Sequence, residues 1–183
     1  MRRISRRRAL SLALLSTLAA IGSAPRAEAT SEAAVYATLR EFYWHVRGSR
    51  ELVRRAAAIL VFPSVIKAGM GIGGEYGEGA LLVRGRMVAY YNCISASIGF
   101  QLGAQARSVI ILFMTEEALA NFSRTDGWKV GVDGSVALIT VGVGGSIDTD
   151  RIISPIVGFI FDGKGLMYNL TLEGTKISRI SRW

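Results

Sequence analysis

The chain has 183 residues, a single His, a single Cys and a formal net charge of +8. Residues 1–29 hold six of the 22 basic residues and one of the 14 acidic ones, so residues 30–183 carry only +3. That excludes a nucleic-acid footprint, which needs basic charge concentrated on the folded domain. Cys93, alone, excludes an intrachain disulfide.

The N-terminal segment reads as a targeting signal. Arg2, Arg3, Arg6, Arg7 and Arg8 form a basic start, Ala9 to Gly22 follow without a charge, and Ala27-Glu28-Ala29 supplies small residues at a cleavage site. The uncharged run is shorter than the roughly 20 residues that span a bilayer. Residues 1–29 are therefore expected to be a signal peptide. Ser5-Arg6-Arg7-Arg8-Ala9-Leu10 resembles the twin-arginine export signal, although Ala9 and Ser11 replace its Phe and Lys. An Arg-rich Sec signal is the alternative. Either route exports the chain, and a periplasmic location is expected. Residues 30–183 are enough for one domain with a proper core.

Residues 31–47 read as a helix, with Val35, Leu39, Phe42, Tyr43 and Val46 on one face. Gly48 stops it, and Ser49 is the expected N-cap of a second helix over 50–58. Ile59 to Phe62 turn β-like before Pro63. From residue 64 the chain is rich in Gly, Val, Ile and Tyr, with turns expected at Gly77-Glu78-Gly79 and Arg84-Gly85-Arg86. Val109 to Phe113 reads as a buried strand, and Thr115-Glu116-Glu117 opens a short helix over 116–123. Strands are expected at 128–132, 135–146, 152–161, and 166–172 into 175–180. Gly alternates with apolar residues over 68–75 and again over 140–146, the pattern of two strongly bent central strands. The fold class expected is α+β: two N-terminal helices on a bent, Gly-rich, mainly antiparallel, barrel-like sheet with one short inserted helix.

Chemistry is harder to find. Gly69-x-Gly71-x-x-Gly74 has the letters of a dinucleotide fingerprint, but Glu75 to Gly79 make a poor helix start. His45 has no second His for a triad or a zinc site. Asp133, Asp148 and Asp150 read as turn residues before they read as cation ligands, and Glu75 with Glu78 would need a cleft to act as an acid/base pair. An enzyme built on Asp133, Asp148 or Glu75 is the weakest reading. No catalytic residue, metal or cofactor is expected. Trp44, followed by Arg47, Arg50, Arg54 and Arg55 and then Lys67, combines an aromatic residue with cations near amphipathic helices, a composition suited to an anionic headgroup layer. The alternative is a solvated basic face over a half-buried helix.

Several motifs carry a family resemblance: Leu60-Val61-Phe62-Pro63-Ser64-Val65; Gly71-x-Gly73-Gly74-x-Tyr76-Gly77-x-Gly79; Tyr90-Tyr91-Asn92; Gln101-x-Gly103-Ala104-Gln105; and Trp128-x-Val130-Gly131-x-Asp133-Gly134-Ser135. Their order and spacing resemble the SYLF domain family across nearly all of residues 56–180. The resemblance implies lipid contact, since eukaryotic SYLF proteins bind phosphoinositides and some yeast members bind and bundle actin. An export signal argues against cytoplasmic actin here. The expected partner is anionic membrane lipid, met by Trp44, Arg47, Arg50, Arg54, Arg55 and Lys67. An envelope protein or self-association through sheet edges is the alternative.

Overall fold

In a computed structural model, residues 30–99, 105–139, 152–162, 165–166 and 171–181 are described. The Ser31 hydroxyl accepts from the Ala34 N–H and caps α1 (Glu32–His45), with Glu32 complementing the dipole in the first turn. The Thr30 hydroxyl donates to the Glu78 carbonyl, tying this end to the sheet. Gly48, at φ 83°, turns the chain directly into α2 (Ser49–Arg55). Gly48 itself takes the N-cap position, and the buried Ser49 hydroxyl donates backwards to the Val46 carbonyl at 2.6 Å. The second helix ends three residues earlier than expected. The Ala57 N–H already donates to the Phe113 carbonyl, and pairing with the sheet wins over another helical turn.

The sheet is dominated by one strand, β1 (Ala58–Val83). Its first part pairs with β3 (Gln105–Phe113) and its second with β2 (Arg86–Gly99), antiparallel in both cases. A register shift between Phe62 and Val65 accommodates Pro63, which has no N–H to give to a ladder. The turn expected at 77–79 is absent, because β1 coils there over its own beginning. A Cβ on Gly79 would lie 2.3 Å from the Val61 carbonyl oxygen, and one on Gly77 would lie 2.8 Å from Val65 Cγ2. The bare glycine face is what allows the approach. The turn expected at Arg84-Gly85 is present, with positive φ at both residues.

The remaining elements are α3 (Glu116–Arg124), β4 (Trp128–Lys129), β5 (Ala137–Leu138), β6 (Ile156–Asp162), β7 (Gly165–Leu166) and β8 (Lys176–Ile180). The strand order is β4-β8-β2-β1-β3-β6-β5, with β7 on β6, and of the pairings between these named strands only β5–β6 is parallel. The strand expected over 128–132 stops early. At Gly131 the chain enters a turn and returns to a bridge between Val130 and Gly134. Of the strand expected over 135–146, only Ala137–Leu138 lies within the described residues, so the second Gly-alternating stretch falls outside them.

The curled sheet buries both faces. Leu60, Phe62, Val109, Ile111 and Phe113 point into one cluster, which α3 closes through Phe122. The Phe122 ring lies 4.7 Å from Phe113, 5.0 Å from Tyr91 and 5.5 Å from Trp128. Ile59, Val61, Ile110 and Leu112 point the other way, into a cluster shared with Val35, Leu39, Phe42, Val46 and Leu52 of the α1–α2 unit. Strands covered on both sides need apolar residues at every position, which is why 109–113 reads as an unbroken run. Among the described residues, both clusters draw on side chains from Val35 to Ile177. The class is α+β, as expected.

Candidate functional site

The α1–α2 unit buries Val35, Leu39 and Phe42 and leaves its charged residues outside. Trp44, in the last turn of α1, is 84% exposed. Arg47 beside the Gly48 turn and Arg50, Arg54 and Arg55 on α2 are also exposed. The Arg50 guanidinium stands 4.6 Å over the Tyr43 ring, a cation–π contact that leaves its charge at the surface. Arg54 pairs with Glu51 one turn away, in a solvated pair of small energetic weight. Five of the six expected lipid-contacting residues thus lie on one helical corner. The sixth, Lys67, stands apart on β1, partly buried, with its Nζ 3.9 Å from Glu75 Oε1.

Inside the curl, Glu75 accepts from Arg107 Nη2 and from the Ser95 hydroxyl at 3.2 Å. The side chains of Glu75 and Arg107 are only 10% and 9% exposed. Arg107 Nε is buried with no partner among the described residues. Beside them Cys93 closes one wall of a cavity of about 10 Å³, the room of a single water. Burial, and to a lesser extent the Glu75 charge, pushes the Cys93 thiol up to about 12. It is a small buried hydrophobe, as its apolar neighbours suggested, and no thiolate is available near neutral pH.

The other chemical candidates that fall on described residues are placed as follows in the fold. Glu75 and Glu78 are three apart on one strand and face opposite ways. Glu75 points inward, whereas the Glu78 carboxylate accepts from the Tyr76 hydroxyl at 2.8 Å. They cannot work as a pair. Gly69, Gly71 and Gly74 lie within β1, which runs on to Val83 without a helix. Asp133 Oδ2 accepts the Lys129 N–H at 2.7 Å and so holds a turn. Asp148 and Asp150 lie outside the described residues. Among the described residues, no three His, Cys, Asp or Glu gather as metal ligands, and no helix is long and apolar enough to cross a membrane.

Several residues of the Trp128-to-Ser135 motif have structural roles. Val130 donates to the Thr175 carbonyl and accepts from the Gly174 N–H. Gly131 sits at φ +85°, against the Glu173 carboxylate, and Gly134 lies under the Trp128 ring. These contacts clamp the β4–β8 edge. Arg107 escaped the sequence reading. Its one signal was a charged residue between small neighbours at the mouth of an apolar strand.

A family model described as "Ysc84: Las17-binding protein actin regulator" matches residues 94–183, from the second half of β2 through β8. No curated protein matches the chain.

Proposed function

The chain belongs to the SYLF (Ysc84) family, whose members are lipid- or actin-binding domains, and from that premise we propose that it is an exported, non-enzymatic protein that binds anionic phospholipid headgroups through its α1–α2 corner. The observation that carries this reading is the exposure of Trp44, Arg47, Arg50, Arg54 and Arg55 on two consecutive helices and the turn between them. Burial of Val35, Leu39, Phe42 and Leu52 holds the corner in place. Each cation near an anionic surface contributes on the order of 1 kcal/mol, and an interfacial Trp suits the headgroup boundary. The signal-like residues 1–29 support delivery to the periplasmic side, where such a surface meets membrane.

The test is co-sedimentation of residues 30–183 with vesicles of rising phosphatidylglycerol content at low and moderate salt. Binding should rise with anionic lipid and fall with salt. Replacing Arg47, Arg50, Arg54 and Arg55 by Ala should weaken it by several kcal/mol at low salt. Undiminished binding of the quadruple variant would move the contact elsewhere.

A second reading has its own support. The family description names a protein partner, and β2 exposes Val88 and Ile94 at about half of their full area. These could seat an envelope protein or a second copy of the chain. Light scattering on lipid-free protein that shows only monomer removes the second copy.

A further inference from the structure

Between α1, the end of α2 and the β1–β2 turn runs a groove of about 770 Å³, within the roughly 300–1,000 Å³ of pockets that take small molecules. Its floor is apolar, with Leu39, Ile59 and Leu82 at the bottom. Its rim carries Arg40, Arg54 and Arg84, and its lining includes no carboxylate. Arg54 is compensated by Glu51, but Arg40 and Arg84 make no ion pair among the described residues. The Tyr36 hydroxyl donates to the Gly85 carbonyl at 3.1 Å and links α1 to the turn at the groove.

Arg84 adds a separate observation. It occupies the first of two positive-φ positions in the turn, at φ 49°, where Asn, Asp or Gly fits with less strain. A bulky cation kept at such a position points to a use for its side chain.

We propose that this groove holds one anionic phospholipid, with an acyl chain along the apolar floor and the headgroup phosphate between Arg40 and Arg84. The charge pattern selects this occupant: a cationic rim whose Arg40 and Arg84 make no ion pair among the described residues, set over an apolar floor, matches a molecule with an anionic head and an aliphatic tail. The proposal rests on the membrane reading above and adds to it. The corner would meet the headgroup layer, and the groove would take a single lipid out of it.

The test is an amide chemical-shift titration of residues 30–183 with monomeric dihexanoyl phosphatidylglycerol, below its micelle concentration. Dihexanoyl phosphatidylcholine and glycerol phosphate serve as comparisons. Saturable shifts at groove residues are expected for the anionic lipid, with both comparisons about tenfold weaker or worse. The R40Q/R84N variant should lose about tenfold or more in affinity for the monomer. Its thermal midpoint should hold or rise, because Asn suits the positive φ at position 84, so loss of binding is not loss of fold. The same variant should still sediment with anionic vesicles, whereas R47A/R55A should lose vesicle binding and keep the monomer. Wild-type protein that sediments with vesicles but shows no groove shifts overturns the groove and spares the corner. Equal binding of phosphatidylcholine overturns the headgroup contact, and equal binding of glycerol phosphate overturns the acyl floor. Dimerisation abolished by R40Q/R84N would assign the groove to a second copy of the chain and overturn the lipid.

Discussion

Arg107 and Glu75 form an ion pair inside the curled sheet, both side chains about nine-tenths buried, and both line the small cavity beside Cys93. Lys67 approaches the same carboxylate from the mouth. A buried pair contributes less than its Coulomb attraction suggests, because both charges lost their water, but removing one partner strands the other.

Arg107→Met should therefore destabilise the protein by about 3–5 kcal/mol. The double variant Arg107→Met with Glu75→Leu should recover much of that loss. Urea denaturation of the two variants and the parent checks it. A double variant no more stable than the single one would mean that the pair does more than neutralise itself.

Coiling of β1 over its own start sets a second expectation. Gly79→Ala places a methyl against the Val61 backbone, where no side chain can move aside. It should cost about 3 kcal/mol or more. Gly74→Ala, whose new Cβ meets only the Ser95 carbonyl at 3.6 Å, should cost about 1 kcal/mol or less. Thermal unfolding of both variants separates them.

Cys93 makes stability depend on pH at the alkaline end. Its thiol titrates near 9 when unfolded and at about 12 when folded. Below pH 9 both states keep the proton and the contribution is fully present. As pH rises from about 9 toward about 12 the unfolded state ionises first, so stability falls. Cys93→Ala should flatten the fall over that window. In native protein at pH 8, a thiol reagent should label Cys93 only at the rate of unfolding.

Trp44 separates binding from folding. At 84% exposure its replacement by Ala should leave stability within about 0.5 kcal/mol. The same change should weaken sedimentation with anionic vesicles. Unaltered vesicle binding would leave the arginines to act alone.

The export route can be read from two arginines. Replacing Arg6 and Arg7 by Lys should stop export if the twin-arginine receptor reads them. A Sec signal, which needs only positive charge at its start, should tolerate the change. N-terminal sequencing of the exported product should begin at Thr30.

Local signals located the helices well. Ser31, Gly48 and Thr115 act over one turn, so α1 and α3 lie within about two residues of their expected bounds. Apolar branching likewise marked 109–113. The expected α2 ran too long because Ala56 to Ala58 are good helix residues until Phe113 offers a strand partner. Lys67 looked like one more surface cation, and only the inward turn of β1 brings it to Glu75.

What the sequence by itself determined is whatever neighbours in the chain decide: the signal-like start, the helix caps, the apolar runs, the Arg84-Gly85 turn, and the exposed basic face of α2. What only the tertiary structure decided depends on residues far apart in the chain. The 77–79 stretch is a strand crossing because Gly79 meets Val61. Glu75 is a structural anion because Arg107 reaches it from another strand. The cationic groove exists because α1 packs on the sheet beside a turn 49 residues from Tyr36. Periodicity and capping report on the next few residues; a cavity, a buried pair or a groove is made by distant ones, and packing alone brings those together.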